Sequence, residues 1–201
     1  ALERIAGCRH LLRRTREEVG IQMPALRTTT MEVEWQDEEE AQIASEIHDL
    51  ALGGRGGIGL NIADDISGWT MVRFLRAKQV CIFPELVAKT ISTYGLASSK
   101  LDAVTQKILS RADNGRRKLV FCFFRMEIDE LERRLQNAGM HVGVLDGRGK
   151  NQDGDVLLIQ IQAGCEGLNL QEFSEVYFTS PHWNPAMEDQ AIARCYRIGQ
   201  K

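Results

Sequence analysis

The alternation of apolar and polar positions divides this 201-residue chain into two stretches of different regularity. In the first twenty residues Leu2, Ile5, Leu12 and Val19 recur among Arg9, Arg13, Arg14 and Arg16, a spacing that predicts a basic helix closed off by Pro24. Met31, Val33 and Trp35 then alternate with Thr30, Glu32 and Glu34, the period-two pattern of a half-buried strand. Asp37 followed by Glu40 reads as a capping box ahead of a helix whose Ile43, Ile47 and Leu50 share one face. Met71, Val72 and Leu75 predict a short helix that ends before Pro84. Between these helices runs GGRGGIGLNIADD. Gly59 is followed by Leu60, Asn61 and Ile62 rather than by the Lys-Ser/Thr pair of a phosphate loop, so the stretch reads as a surface loop.

From Ser98 the pattern becomes regular. Leu101, Val104 and Ile108 form one helical stripe, and a loop at Asn114 and Gly115 follows. The unbroken apolar run from Leu119 to Phe124 predicts a parallel strand covered on both faces. Leu131, Leu135 and Ala138 mark a helix ending at Gly139. His141 to Leu145, Asp155 to Ile161 and Val176 to Thr179 give three further strands. This order predicts an α/β fold, a doubly wound parallel sheet with helices on both faces, over residues 98–201. Residues 1–97 read as a preceding, mostly helical connecting segment.

Such sheets bind ligands outside the carboxyl ends of their strands. There the first strand runs into Arg125, the second into DGRGK, the third into QAGCEGLN and the fourth into SPHWNP. In the last helix Asn184 is the expected N-cap, with Pro185 in the first turn. Gln190, Arg194 and Arg197 are spaced to share one face of it. Two guanidinium groups one turn apart need either acidic neighbours, such as Glu188, or a shared phosphate, and spacing alone leaves both open.

Composition narrows the partners. Lys plus Arg number 25 against 28 Asp plus Glu, a net charge of −3, so any nucleic-acid contact must be local. Five scattered cysteines without a C-x-x-C pair argue against a zinc site or a disulfide framework and for a reducing compartment. His10, His48, His141 and His182 lack ligand spacing, so no metal site is expected. No apolar run approaches a membrane span and no signal-peptide core is present, so the expectation is a soluble, intracellular protein without a membrane partner.

The string SPHWNPAMEDQAIARCYRIGQ resembles the last helicase motif of the Swi/Snf family within helicase superfamily two. Trp183, Asn184, Pro185, Gln190, Ala191, Arg194, Arg197, Ile198, Gly199 and Gln200 carry the match. QAGCEGLNL resembles the preceding motif through Ala163, Gly164, Gly167, Leu168, Asn169 and Leu170, with Cys165 where glycine is common and Gln160 where serine is frequent. KLVFCFFRMEIDELERRLQNAGM and VGVLDGRGK resemble the opening of the family's second RecA-like lobe. LLRRTREEVGIQMP resembles the segment between lobes, and FLRAKQVCIFPELV loosely resembles the family's R-Q-x-x-x-x-P stretch.

The resemblance implies a RecA-like C-terminal lobe of an ATP-dependent double-stranded DNA translocase, nuclear in a eukaryotic cell. Arg194 and Arg197 would be its arginine fingers, and Gly167, Asn169 and Gln190 would face the nucleotide. Arg125, Gly147, Arg148, Lys150, Gln162, Ala163, Gly164 and Trp183 would face nucleic acid. Asp146 to Lys150 also reads as a simple polar loop, and Trp183 as a wedge for its own loop. The chain has no G-x-x-x-x-G-K-[ST] and no Asp-Glu magnesium motif. ATP and Mg2+ are therefore expected to be held mainly by an N-terminal RecA-like lobe outside this sequence, and the implied substrate is nucleosomal or other protein-bound DNA. A catalytically silent lobe used for DNA or protein docking, and a strand-separating helicase of the same superfamily, remain alternatives.

Overall fold

The structure is a computed structural model, and it describes residues 18–51, 70–87, 97–146, 150–151, 153–164 and 168–198. The expected N-terminal basic helix and the glycine-rich stretch fall mainly outside these residues. The described elements are α1 (Glu38–Ala51), α2 (Thr70–Ile82), a 3-10 turn (Pro84–Val87), α3 (Ser99–Leu109), a second 3-10 turn (Ala112–Asn114), β1 (Arg117–Cys122), α4 (Arg125–Asn137), β2 (Val142–Leu145), β3 (Lys150–Asn151), β4 (Val156–Gln160), α5 (Ile161–Gly164), β5 (Phe173–Phe178) and α6 (Pro185–Cys195).

The five strands form one sheet in the order β3-β2-β4-β1-β5. β1 pairs in parallel with β4 and β5, and β2 in parallel with β4, so the carboxyl ends of four strands share one edge. The short β3 runs antiparallel to β2, with Leu145 opposite Lys150. It turns the end of the second strand-loop motif into an edge hairpin, which an apolar-run reading cannot detect in a polar dipeptide.

Alternation along the strands sorts the core into two layers. Val120 and Cys122 of β1 face α3 and α4 together with Leu101, Ile108, Ile128, Leu131 and Leu135. Leu119 and Phe121 face the other way and pack with Ile161, Leu170, Phe173, Ala191 and Cys195. Helices thus cover both faces, as the apolar run of β1 predicts. Ser98 caps α3 by accepting the Leu101 amide, and Gly139 ends the turn after α4 at a φ of 83°, a conformation that favours glycine.

The preceding segment is a helical pair in which Ala44 and Ile47 of α1 pack against Ala77 and Val80 of α2. It differs from expectation in three places. Residues 21–35 form no strand, and Met31 and Trp35 are 50% and 43% exposed, because no described strand lies beside them to complete a ladder. Asp37 does cap α1, accepting the amides of Glu39 and Glu40 at 2.8 and 3.0 Å. Glu40, however, turns away from the box into the interior and receives the Ser99 amide and hydroxyl at the start of α3. On α2, Met71 and Leu75 are exposed while Ala77 and Val80 are buried, so the packed stripe lies nearer the helix end than expected.

Candidate nucleotide and nucleic-acid edge

At the end of β1 the chain does not continue as a strand through Phe124. β1 stops at Cys122, and Phe124 becomes the N-cap of α4, whose third residue Glu127 folds back to accept the Phe123 and Phe124 amides at 2.9 and 3.1 Å. The Glu127 carboxyl is fully buried, and burial pushes its pKa up against the hydrogen bonds from the two amides. Arg125 is thereby set at the first, exposed position of α4, on the carboxyl edge of the sheet.

The neighbouring strand ends are tied to this point. Gln160, the last residue of β4, donates to the Phe123 carbonyl at 3.3 Å, and the Thr179 amide beyond β5 donates to the Phe121 carbonyl at 3.3 Å. His182 stacks on Phe123 with ring centroids 5.4 Å apart. Its Nδ1 accepts the Asn184 amide at 3.0 Å, and its own amide donates to the Glu188 carboxylate at 2.5 Å. Asn184 then caps α6 by accepting the Ala186 amide at 3.1 Å, with Pro185 as the first helical residue.

Two expected motifs meet on this frame. The Leu170 amide donates to the Arg194 carbonyl at 3.2 Å, and Gln171 Nε2 donates to the Ile198 carbonyl at 2.6 Å. Asn169, exposed, sits beside this junction and donates to Gln171 at 3.4 Å. The structure therefore joins the chain at Leu170 and Gln171, next to Asn169, to the end of α6 at Arg194 and Ile198. One correction is needed: α6 ends at Cys195, and Tyr196, with a ψ of 81°, breaks the helical path before Arg197. Arg197 is not on a continuous helix face with Gln190 and Arg194. Its Nε instead folds back to donate to the Ala193 carbonyl at 3.1 Å. Both arginines are half-buried, while Gln190 is exposed. Cys195 lies beneath them in the core, and burial pushes its thiol up to about 12.

Of the remaining expected residues, Gln162 is exposed in α5, and Ala163 and Gly164 complete that single turn. Lys150 begins β3. Gly147, Arg148 and Gly167 lie outside the described residues. Trp183 is 57% exposed, and its ring receives the Lys78 ammonium at 4.8 Å. Lys78 is a residue the sequence reading overlooked, although it lies inside the FLRAKQVCIFPELV stretch already matched to the family. Among the described residues no group of three or more His, Cys, Asp or Glu side chains could hold a metal ion, and no helix is long and apolar enough to cross a membrane.

Residues 99–199 match the family described as helicase conserved C-terminal domain. The chain is 37% identical over 121 residues to a putative SWI/SNF-related matrix-associated actin-dependent regulator of chromatin subfamily A member 3-like 1 of Arabidopsis thaliana, a match covering 52% of this chain and 14% of that protein. It is 33% identical over 122 residues to the helicase-like transcription factor of Mus musculus, covering 52% of this chain and 12% of that protein. Among solved structures it resembles the Sulfolobus solfataricus SWI2/SNF2 ATPase core domain with a TM-score of 0.57 at 16% identity, over 81% of this chain and 36% of that one, a likeness of fold. The chain thus spans about one seventh or less of these curated relatives. With this match, the RecA-like sheet and the junction of its last two motifs, the chain belongs to the helicase conserved C-terminal domain family, in its Swi/Snf-type branch.

Proposed function

We propose that this lobe supplies the arginine half of an ATP site shared with a second RecA-like lobe, in an enzyme that moves along double-stranded DNA. The observation that carries the reading is the Leu170 to Arg194 hydrogen bond, which fixes the backbone of one arginine against the neighbouring motif and leaves its side chain partly open. A guanidinium carried on a backbone fixed this way can reach charge developing on a transferred phosphoryl group. Arg194 and Arg197 are the proposed fingers, with Gly167, Asn169 and Gln190 beside the nucleotide. ATP with Mg2+ supplies the phosphoryl group and its counter-charge, and the metal is assigned to the other lobe because the described residues here offer no carboxylate cluster for it.

Residues 98–201 are the proposed lobe and residues 1–97 its connecting segment. DNA is proposed to run past the carboxyl edge, contacted by Arg125, Gly147, Arg148, Lys150, Gln162, Ala163, Gly164 and Trp183. Nucleosomal or otherwise protein-bound DNA is the proposed substrate, and the nucleus the proposed location in a eukaryotic cell.

The test is Arg194→Ala and Arg197→Ala in the whole protein. Turnover of ATP should fall roughly 10³-fold while nucleotide affinity changes far less. The melting temperature should move little, since the core side of α6 is Ala191 and Cys195. Near-normal turnover in both variants would remove the arginine-finger assignment and favour a docking lobe.

A further inference from the structure

Lys78 is assigned no part in the ATP or DNA contacts above, yet its ammonium sits where three elements converge. Its Nζ donates to the Pro181 carbonyl at 2.6 Å and lies 3.3 Å from the centroid of the Phe123 ring and 4.8 Å from that of Trp183. Phe123 follows β1, whereas Pro181 and Trp183 belong to the loop after β5. One side chain on α2 thus fastens the connecting segment to two strand ends of the lobe.

The loop it grips leads directly into α6. Pro181 precedes His182, which is stacked on Phe123 and tied through its amide to Glu188, and Trp183 precedes Asn184, the cap of α6. Any shift of this loop changes where α6 begins, and Arg194 lies on the same short helix. The charge is retained at some expense. Burial lowers the Lys78 pKa to about 8, Glu127 of α4 and Glu188 of α6 oppose that fall, and Lys100 of α3 adds to it. An apolar side chain of similar length would fill the same space without desolvating a cation.

We propose that Lys78 is a positioning residue for the arginine helix, coupling the connecting segment to α6 through its cation–π and carbonyl contacts with the Pro181 to Asn184 loop. This rests on the arginine-finger reading above, because the placement of α6 matters to turnover only if its arginines serve the ATP site. A displacement of α2 relative to the sheet would then be transmitted to those arginines through the loop.

The experiment compares Lys78→Met and Lys78→Arg in the whole protein. At pH 7 and saturating duplex DNA, Lys78→Met should lower kcat roughly tenfold, with KM for ATP and the melting temperature little changed, and Lys78→Arg should recover most of the loss. Independently of hydrolysis, Trp183 emission, taken as the difference from Trp183→Phe, should change with a midpoint near pH 8 and lose that transition in Lys78→Met. If the transition disappears while kcat stays normal, the contact exists but positions nothing, and the proposal falls. It falls equally if Lys78→Met leaves the emission titration intact. If Arg194→Ala turns over normally while the titration behaves as described, the finger reading fails and the clasp itself stands.

Discussion

The Leu170 amide meets the Arg194 carbonyl at 3.2 Å, although the two residues lie on opposite sides of β5 in sequence. The last carbonyls of a helix have no partner within it, and Arg194 belongs to the final turn of α6. Leu170 answers one of them while its own side chain, 1% exposed, packs in the core with Ala191 and Cys195. A single residue therefore satisfies the helix end and anchors it, and so ties the two motifs together.

A second tie at the same helix end comes from the connecting segment. The Tyr196 hydroxyl donates to the Pro24 carbonyl at 2.6 Å. Tyr196→Phe removes only that donor, so stability should fall by about 0.5–1.5 kcal/mol. Residues around Pro24 should be cut faster in limited proteolysis. An unchanged cleavage rate would show that this bond does not hold the segment.

Glu40 is the interior link between the helical pair and the lobe. It is fully buried, accepts the Ser99 amide at 3.1 Å with both oxygens and the Ser99 hydroxyl at 2.5 Å, while the Gln36 amide donates to that hydroxyl oxygen at 2.8 Å. Glu40→Ala strands the Ser99 donors without water and should lower the urea midpoint by the equivalent of about 1–3 kcal/mol with the m-value unchanged. Glu40→Gln retains an acceptor and should lose less. Equal losses in the two variants would show that packing rather than hydrogen bonding sets the effect.

Glu175 supplies the pH dependence. Burial pushes its pKa up, but Arg111, Tyr177 and Asn114 all donate to it, and together they hold it below the ordinary carboxyl value of 4.5. A carboxyl depressed in the folded state stabilises the fold above its unfolded pKa, and that contribution is lost as pH falls through the folded value. Glu127, raised by burial, acts in the opposite sense, so the measurement is a difference. Urea unfolding at pH 7 and at successive steps below 4.5 should show wild type losing stability more steeply than Glu175→Gln. Parallel curves would mean the network contributes no acid dependence.

The parallel sheet and its helices were legible in the sequence because those elements are set by local periodicity. Leu119 to Cys122 can only be covered on both faces, and Leu101, Val104 and Ile108 can only form one stripe. The family motifs were legible because their residue types stand in a fixed order along residues 99–199. Other readings failed where local spacing does not decide the outcome. Met31 and Trp35 alternate like a strand but have no neighbour to pair with, and Glu40 finds Ser99 rather than its own helix start. Arg197 keeps its helical spacing on paper while Tyr196 turns the chain away. The clasp of Lys78 on Phe123 and Trp183 is of the same kind. The sequence by itself determined the helices and parallel strands of the lobe and the residue types at the strand ends, because those depend on side-chain type and spacing. Only the tertiary structure decided which of them touch, because buried polar groups take whatever partner the packed chain brings within about 3 Å.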